Sequence, residues 1–273
     1  MLDLSQVTDS DVLVELDRAI AATRDNQADR KRILGASRQC ASRFTFVGTR
    51  TYPRPDHPDP NKRRSLLFLL CGIIVSLRTT LENEQLAMSR LMNAVHTDDE
   101  LLELTVEQIA ALIRPAGMAN SKAQRIYESI RLLEGVEGGP EGLLGVPMIA
   151  ARNFLLGLPG VGPKAADCLL TIGLGMPSMV VDTNVFRSIN WILSGGAGSS
   201  SFSNQAEVAK VKARVDKALA GESAFLFQIV HTELLLLSKA MGRRGHTTEL
   251  CVGPQYCKAC ATSTGELMLP LNS

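Results

Sequence analysis

A lysine and an aspartate lie eighteen positions apart in the middle of the chain, and their residue types indicate one chemistry. Lys164 comes just after a glycine-containing turn, and Asp182 follows a short apolar segment. An uncharged lysine amine is a nucleophile, and a nearby carboxylate stabilises positive charge. We interpret the pair as a site that holds a DNA backbone and attacks a sugar carbon.

The turn before Lys164 has the sequence LPGVGP, at residues 158–163. Gly160 and Gly162, on either side of Val161, can adopt backbone angles that other residues resist, and without side chains they let a phosphate come close. The N–H groups of such a turn and of the helix that follows suit an anion. The glycines alone leave open an ordinary connection between two helices.

Lys164 is expected in the first turn of a helix, where the helix dipole favours anions over cations. The same field, together with the partial burial that we expect for this side chain, favours the neutral, nucleophilic amine. The alternative is a lysine that contacts phosphate and has no covalent role. Asp182 also has two interpretations, which are compatible: it caps the helix that follows, or it stabilises positive charge on a sugar ring and relays protons.

Four segments of the chain resemble the helix-hairpin-helix (HhH-GPD) superfamily of DNA glycosylases, most closely its endonuclease III branch. They occur in the family's order and with its lysine-to-aspartate spacing, over roughly residues 65–260. The matching segments are Ser76–Thr79, Asn120–Ala123, Leu158–Ala165 and Val181–Arg187. The resemblance implies two helical domains with double-stranded damaged DNA bound in the cleft between them, Lys164 as the nucleophile and Asp182 as the essential carboxylate.

The resemblance also implies the reaction. Branches of the superfamily without the lysine cut only the glycosidic bond, so its presence implies a glycosylase that is also a lyase at apurinic or apyrimidinic (AP) sites. The damaged nucleotide is flipped from the duplex, the Lys164 amine attacks C1′ as the base leaves, and Asp182 offsets the developing charge. The resulting Schiff base permits β-elimination on the 3′ side. Oxidised pyrimidines, removed in base excision repair, are the expected substrates.

Two other functions stay open. The run KAADC, Lys164–Cys168, is also similar to the 8-oxoguanine branch of the superfamily, which implies a glycosylase and lyase for that lesion. The other alternative is a non-catalytic helix-hairpin-helix protein that uses the hairpin only to hold phosphate. A panel of lesion duplexes tests the first alternative, and DNA binding without cleavage would favour the second.

Three cysteines, Cys251, Cys257 and Cys260, cluster in a C-terminal loop at about residues 242–266. The family pattern is four cysteines that hold a [4Fe–4S] cluster. Here the first spacing is one residue shorter and no fourth cysteine follows, so the fourth ligand is unknown. Three interpretations stay open: a cluster with a remote or non-cysteine fourth ligand, a loop without metal, and a zinc site completed by a histidine such as His246.

The remaining cysteines, Cys40, Cys71 and Cys168, lie in apolar helical settings and are expected in the core. Six cysteines in a chain whose N-terminus lacks a hydrophobic signal core argue against a disulfide framework. We therefore expect an intracellular protein, which in a prokaryote is cytoplasmic and associated with the nucleoid.

Basic residues at several positions are candidates for DNA contact. Arg243 and Arg244 precede the cysteine cluster and either contact phosphates or belong to a solvated loop. Arg78 matches the position where relatives commonly carry a glutamine that fills the gap left by the extruded base. Lys122 and Arg125 are expected to be surface charges of a helix.

Composition limits the fold and the partners. Apolar residues make up 45% of the chain and charged residues 21%, which are globular values, and 273 residues suit one or two domains. The net charge of +1 requires any DNA-binding surface to be a local basic patch. The longest apolar run, residues 66–77, is shorter than the about 20 residues that span a membrane. We expect it to be a buried core helix, and we expect a monomer without a membrane partner.

Apolar residues recur at helical spacing along most of the chain, and no segment alternates convincingly, so the sequence predicts an all-α fold. We expect a six-helix domain at residues 65–176 that carries the helix-hairpin-helix motif, and a second helical domain built from 1–64 and 177–273. The predicted helices are 9–22, Leu66–Thr79, Leu81–Val95, Asp98–Leu104, Val106–Ile113, Ser121–Leu133, Met148–Leu156, Lys164–Leu174, Asp182–Leu193, Gln205–Ala220 and Ala224–Met241.

Overall fold

The computed structural model of the chain describes residues 9–24, 27–43, 65–194 and 204–241. All regular structure in these ranges is helical and no strand occurs in them, which confirms the all-α prediction. The described helices belong to two compact units, one within residues 65–176 and one within 9–43 and 177–241. Their identity as two independently organised domains stays a prediction.

The helices follow the predicted order closely, with one addition near the N-terminus. Short 3₁₀ segments occur at Arg114–Ala116 and Pro140–Gly145, and a π-helical segment occurs at Leu169–Gly173. None of the described helices is long and apolar enough to cross a membrane. The helices are α1 (Asp9–Ala21), α2 (Ala28–Arg43), α3 (Leu66–Val75), α4 (Leu81–Ala94), α5 (Asp98–Glu103), α6 (Val106–Leu112), α7 (Ala119–Glu134), α8 (Met148–Leu156), α9 (Pro163–Cys168), α10 (Thr183–Leu193), α11 (Gln205–Ala218) and α12 (Ala224–Met241).

Helix α3 forms the centre of the first unit's core. All of its residues are buried, because a helix that is apolar on every face has no side to expose. Its neighbours include α4, α7 and the π-helical segment. The prediction of a buried core helix is therefore confirmed, but the helix ends at Val75 instead of continuing to Thr79. Ser76 closes it, since its hydroxyl donates to the Ile73 carbonyl at 2.8 Å.

Threonines define the beginnings of three helices in the first unit. The hydroxyls of Thr80, Thr97 and Thr105 accept hydrogen bonds from the third backbone N–H of α4, α5 and α6. At α6 the side chain of Gln108 also accepts from the Thr105 backbone N–H, which completes a capping box. Each cap contributes about 1 kcal/mol, so the sequence sets these helix starts locally.

The sequence did not predict helix α2, which packs against α1, α10 and α12 in the second unit. Its buried residues include Ile33, Leu34 and Cys40. Its first turn is charged and Gly35 lies near its middle, which weakens the apolar periodicity. The Cys40 thiol donates to the Glu233 carbonyl at 3.2 Å, as expected for a core cysteine.

The two described cysteines of the first unit also lie in or against the core, as expected. Cys71 is fully buried in α3, and this burial raises the pKa of its thiol. Cys168 is half-buried and packs against the same core. Cys40, Cys71 and Cys168 form no disulfide with one another in the described part of the chain.

A buried ion-pair cluster fastens α2 to the segment that follows α11. The Arg30 guanidinium is almost fully buried and binds the Glu222 carboxylate, which also accepts a hydrogen bond from Arg18 at 2.5 Å. Arg30 donates as well to the Ala19 carbonyl at 3.2 Å. Burial alone would raise the pKa of Glu222, but the hydrogen bonds from Arg30 and Arg18 outweigh burial and hold that pKa below its usual range.

We expect Glu222→Gln to lower the free energy of unfolding by about 2–3 kcal/mol at pH 7, because it leaves the buried Arg30 charge without its anion. The pKa of Glu222 is lowered in the folded state. Its contribution is therefore present above the unfolded pKa of about 4.3 and disappears as the pH falls through the folded pKa. Urea unfolding at pH 7 and at about pH 3 measures both effects.

The control for this prediction is Glu15→Gln. Glu15 accepts a hydrogen bond from Arg18, which is half-exposed, at 2.8 Å. An exposed pair contributes little, so we expect a loss below about 1 kcal/mol. Equal losses in the two variants, or a loss in Glu222→Gln that does not shrink in acid, would contradict the role assigned to the buried cluster.

Candidate active site and nucleic-acid interface

The glycine turn between α8 and α9 is a tight hairpin in the structure. Helix α8 ends at Leu156, and the Val161 N–H donates to the Leu158 carbonyl at 3.0 Å across the turn. Leu158 and Val161 are buried, so their side chains anchor the turn in the core. Helix α9 then begins at Pro163, a residue that suits a helix start because the first N–H groups of a helix have no intrahelical acceptor. The predicted helix-hairpin-helix arrangement is therefore present.

Only one of the two hairpin glycines is required by the backbone conformation. Gly160 has a φ of +84°, and a Cβ at this position would approach the Arg125 Cδ atom to 2.9 Å. Gly162 has a φ of −91°, and an added Cβ would meet nothing within 4 Å. The conformational freedom of glycine is therefore used at Gly160 and not at Gly162.

The hairpin backbone has the groups that an anion needs. Within the described ranges, the N–H groups of Gly160 and Gly162 have no hydrogen-bond acceptor in the protein, and Gly162 is exposed. Backbone N–H groups in this state are what lets a turn before a helix bind phosphate. The assignment of Gly160, Val161 and Gly162 as DNA contacts stays a prediction. The geometry favours it for the two glycines, because the Val161 N–H already donates to the Leu158 carbonyl.

Helix α7 supports the hairpin through two side chains. Ser129 is fully buried, and its hydroxyl donates to the Pro159 carbonyl at 2.8 Å. The aliphatic part of Arg125 packs against Gly160. Arg125 as a whole is exposed, as the sequence predicts. Its charge therefore lies close to the hairpin, an association that the helical pattern of α7 does not reveal.

Lys164 is the second residue of α9, and it is exposed. The partial burial expected from the sequence is therefore wrong, because Ala165 and Ala166, next to it in the helix, occupy the buried side of α9. An ion pair across the hairpin holds this helix to α8: Arg152 Nε donates to Asp167 Oδ1 at 2.8 Å. Asp167 is buried, so the pair fixes the helix that presents Lys164.

The end of α9 is also fixed, by its approach to the core helix. The π-helical segment is closed by the Leu174 N–H, which donates to the Leu169 carbonyl at 3.0 Å. Gly173 in this segment lies so close to α3 that a Cβ there would come to 2.2 Å from the Leu66 Cδ1 atom. A larger residue does not fit, so Gly173 permits the helix of Lys164 to continue into the core.

Asp182, in the second unit, caps helix α10. Its Oδ1 atom accepts hydrogen bonds from the backbone N–H groups of Asn184 and Val185, both at 2.8 Å. The predicted N-cap role is therefore confirmed, and the residue is half-buried. A negative charge is favoured at this end of a helix. The cap also fixes the orientation of the carboxylate.

Side chains of α11 and α12 hold the extended segment that leads to Asp182. The Met179 N–H donates to Asp216 Oδ1 at 2.8 Å, and Lys212 Nζ donates to Asp216 Oδ2 at 2.6 Å. His231 Nδ1 lies 2.8 Å from the Val180 carbonyl, so this nitrogen carries the proton that it donates. None of these residues was predicted from the sequence. The spacing of Lys212 and Asp216 indicates a pair on one helix face, but nothing in the sequence shows which segment the pair binds.

Arg78 lies in a turn of the first unit, and Lys122 lies near the start of α7. Arg78 is exposed, in the turn after α3, and has a left-handed backbone with φ +50°. Lys122 was expected at the surface, and this is wrong: it is buried, and its Nζ donates to the carbonyls of Val75 and Ala116, each at 2.9 Å. Burial lowers the pKa of Lys122, while the charge of Glu84 opposes this effect. Its acceptors come from other elements, which a helical pattern does not reveal.

The C-terminal candidates lie outside the described residues. These candidates are Arg243, Arg244, Cys251, Cys257 and Cys260. In the part of the chain that the structure describes, no group of three or more histidine, cysteine, aspartate or glutamate side chains is arranged to hold a metal ion. The metal ligands and the two arginine contacts therefore stay predictions.

The family of the chain follows from its sequence and agrees with the geometry above. Residues 71–210 match the family model of the HhH-GPD superfamily base excision DNA repair proteins, which is about half of the chain. The chain belongs to this superfamily. The resemblance seen at the hairpin and at the lysine and aspartate positions is thereby confirmed at the level of the family.

Its relatives include bacterial proteins named endonuclease III. That of Thermotoga maritima is 35% identical over 135 residues, which cover 49% of this chain and 59% of the relative. That of Escherichia coli K12 is 34% identical over 143 residues, which cover 52% of this chain and 64% of the relative. The chain thus matches about three fifths of the length of these curated relatives.

Solved structures of DNA repair proteins share the fold. A trapped endonuclease III–DNA covalent intermediate aligns with a TM-score of 0.59 at 21% identity, over 85% of this chain and 97% of that chain. A thermostable thymine-DNA glycosylase aligns with a TM-score of 0.64 at 20% identity, over 86% of this chain and 98% of that one. At these identities the comparison shows the all-helical fold.

We expect Gly160→Ala to lower the free energy of unfolding by about 1–3 kcal/mol, because alanine is strained at positive φ and its Cβ meets Arg125. Gly162→Ala is the matched control from the same turn, and we expect no loss of stability, since its φ is ordinary and the space is open. Urea unfolding measures both. A loss at Gly162 equal to that at Gly160 would show that the hairpin has a different conformation.

Proposed function

We propose that the protein is a bifunctional DNA glycosylase and AP lyase of base excision repair, which removes oxidised pyrimidines from duplex DNA. The observation that carries the proposal is the exposed Lys164 at the start of α9, directly after a hairpin whose glycine N–H groups are open to an anion. Membership of the HhH-GPD superfamily supports the reaction class. The endonuclease III relatives support the branch.

In the proposed complex, the first unit holds the DNA backbone at the hairpin. The N–H groups of Gly160 and Gly162 bind a phosphate, and Arg125, which packs on Gly160, adds positive charge beside it. Arg78 fills the gap left by the flipped nucleotide. Arg243 and Arg244 are proposed as further phosphate contacts. Because the net charge is only +1, these local charges supply the affinity, which should fall with salt.

The proposed reaction takes place on a nucleotide flipped out of the duplex. The uncharged Lys164 amine forms a bond to C1′ while the bond from C1′ to the base breaks, and the base leaves with the electron pair and takes up a proton. Asp182 offsets the positive charge on the sugar and accepts the proton that the amine releases. The ring then opens to a Schiff base. Loss of a C2′ proton expels the 3′ phosphate and cuts the strand.

Asp182 supports this role because its carboxylate is already fixed. The two hydrogen bonds to Oδ1 hold the group in one orientation. A charge that is oriented before the reaction stabilises a developing cation without reorganising. The proposal requires Lys164 and Asp182 to reach the same nucleotide, and the variants below test that requirement separately for each residue.

The substrate within this reaction class is proposed from the branch that the chain resembles. The KAADC run keeps 8-oxoguanine as the alternative lesion, although in this structure Asp167 binds Arg152 and Cys168 packs against the core. Duplexes that carry thymine glycol or 8-oxoguanine separate these two substrates. A non-catalytic DNA-binding protein would bind the same duplexes without cleaving them.

An iron–sulfur cluster is implied by the family, and the residues present meet its requirement only in part. Cys251, Cys257 and Cys260 supply three thiolates, whereas four are usual. Cys40 and Cys71 do not fit as the fourth, because both are buried in helical cores. We therefore assign no step of the reaction to a cluster. A [4Fe–4S] cluster with another fourth ligand remains a proposal, which iron and sulfide analysis tests.

The expected partner is double-stranded damaged DNA, and we propose that the protein acts on it as a monomer inside the cell. No further protein partner is needed by the reaction as proposed, since both reacting groups, Lys164 and Asp182, belong to one chain. Sedimentation of the protein with a duplex that carries an abasic site would give the stoichiometry of the complex.

Lys164→Ala should abolish the covalent adduct that borohydride traps between the protein and abasic or thymine-glycol duplexes, because the variant lacks the amine that forms the Schiff base. The adduct is measured by denaturing electrophoresis. Lys210→Ala, an exposed lysine on α11, is the matched control and should keep the adduct. If Lys164→Ala still forms the adduct at the rate of the control, Lys164 is not the nucleophile.

Asp182→Asn should lower the single-turnover rate of base removal by about 10²–10⁴-fold while it changes the free energy of unfolding by less than about 1 kcal/mol. Asparagine is as good an N-cap as aspartate, so it keeps the two hydrogen bonds and removes only the charge. Excision rates and urea unfolding are measured on the same preparation. An excision rate that stays near that of the unmodified protein would show that Asp182 acts only as an N-cap.

A further inference from the structure

Lys122 is a buried charge that the proposed reaction does not use. It is only 2% exposed, and its ammonium group donates to the carbonyl oxygens of Val75 and Ala116, each at 2.9 Å. A buried charge is costly unless it is well paired. An apolar side chain of similar length would avoid that cost. The role of the ammonium group is therefore to bind the two carbonyls that accept its hydrogen bonds.

Both acceptors lie at the ends of helical segments. The three carbonyls before Val75 are bound by Ser76, through its N–H and its hydroxyl, and by the Leu77 N–H. The Val75 carbonyl, the last of α3, is bound by Lys122. Ala116 is likewise the last residue of its 3₁₀ segment. Lys122 therefore places one cation at two C-terminal ends, where positive charge is favoured.

Each of these ends leads into a turn with an unusual backbone. Arg78, three residues after Val75, has φ +50°, and Met118, two residues after Ala116, has φ +51°. In the part of the chain that the structure describes, these are the only residues other than glycine with positive φ. Such backbone is strained and persists where the surroundings hold it. Both residues are exposed, so their own side chains do not supply the restraint.

Lys122 is in a position to supply that restraint to both turns. Its Nζ binds the carbonyl that precedes each turn, and its backbone N–H donates to the Met118 carbonyl at 3.0 Å. An ammonium group has three donors and no acceptor, which suits several carbonyls at once. Removing it would leave buried carbonyls without a partner, and the turns would relax to satisfy them.

We propose that Lys122 is a positioning residue that joins the turns of Arg78 and Met118 and thereby fixes Arg78 for its place in the gap of the duplex. This inference rests on the proposed function, since only an enzyme that flips a nucleotide from duplex DNA has a gap to fill. On a single strand no gap forms and Arg78 has no such task. Lys122 should therefore matter for duplex DNA and not for single-stranded DNA.

The experiment compares borohydride trapping rates on an abasic site in duplex DNA and in single-stranded DNA. Lys122→Met and Arg78→Ala should each lower the duplex rate by about tenfold and leave the single-strand rate within about twofold, and the double variant should fall no further than either single one. Lys122→Gln keeps N–H donors on a shorter side chain. Its duplex trapping rate should therefore lie between those of Lys122→Met and the unmodified protein. Ile130→Ala, buried on the same helix, is the control for lost stability and should leave the ratio of the two rates unchanged.

The outcomes distinguish this inference from the proposed function. No adduct from the unmodified protein with either DNA would overturn the proposed function itself. If the unmodified protein forms the adduct, the inference about Lys122 is overturned by any of three results: Arg78→Ala leaves the ratio of rates unchanged, the Lys122 variants lower both rates equally, or the effects of the two residues on the ratio are additive. If Lys122→Met does not fold, Lys122→Gln and Arg78→Ala provide the same comparison.

Discussion

A single stripe along helix α7 fixes the turns of the first unit that carry the candidate DNA contacts. Lys122, Arg125 and Ser129 follow one another at spacings of three and four residues, so they lie on one face of the helix. Lys122 binds the ends of two helical segments, Arg125 packs on Gly160, and Ser129 binds the carbonyl of Pro159. The distances between these supports are set by the helix itself, because its rise per residue is constant. In the proposed DNA complex, a chain with a net charge of only +1 depends on such placement, because a few local charges have to meet the phosphates together.

The two lysines of the matching segments have opposite environments, and each environment suits its role. Lys122 is buried and bound to two carbonyls, which makes it a support, whereas Lys164 is exposed and can meet a ligand. From the sequence, Lys122 was expected at the surface and Lys164 was expected to be partly buried. Both expectations were wrong, because the burial of a helical lysine depends on which residues pack over it. The acceptor at Val75 is 47 residues away along the chain.

Local signals explain most of what the sequence predicted. The threonines at positions 80, 97 and 105 cap their own helices, so those helix starts were predicted within one residue. The hairpin was predicted because its turn has a positive φ at position 160, where glycine is favoured. Helix α2 was missed because its charged first turn and Gly35 weaken the apolar periodicity, and because much of its burial comes from α10 and α12, which follow more than a hundred residues later. The supports of the Asp182 segment, Asp216 and His231, were missed for the same reason, since their partners lie 37 and 51 residues away.

Asp182 is both the N-cap of α10 and a fixed negative charge, and contacts within the second unit maintain both roles. The extended segment before it has no strand partner among the described residues, so its backbone groups depend on side chains of α11 and α12. Those bonds fix where α10 begins, and the cap then fixes the carboxylate. The folded protein therefore orients the negative charge before any ligand is present. A carboxylate on a loose loop would have to give up solvation and mobility at the moment when a sugar cation develops, which would cancel much of its attraction.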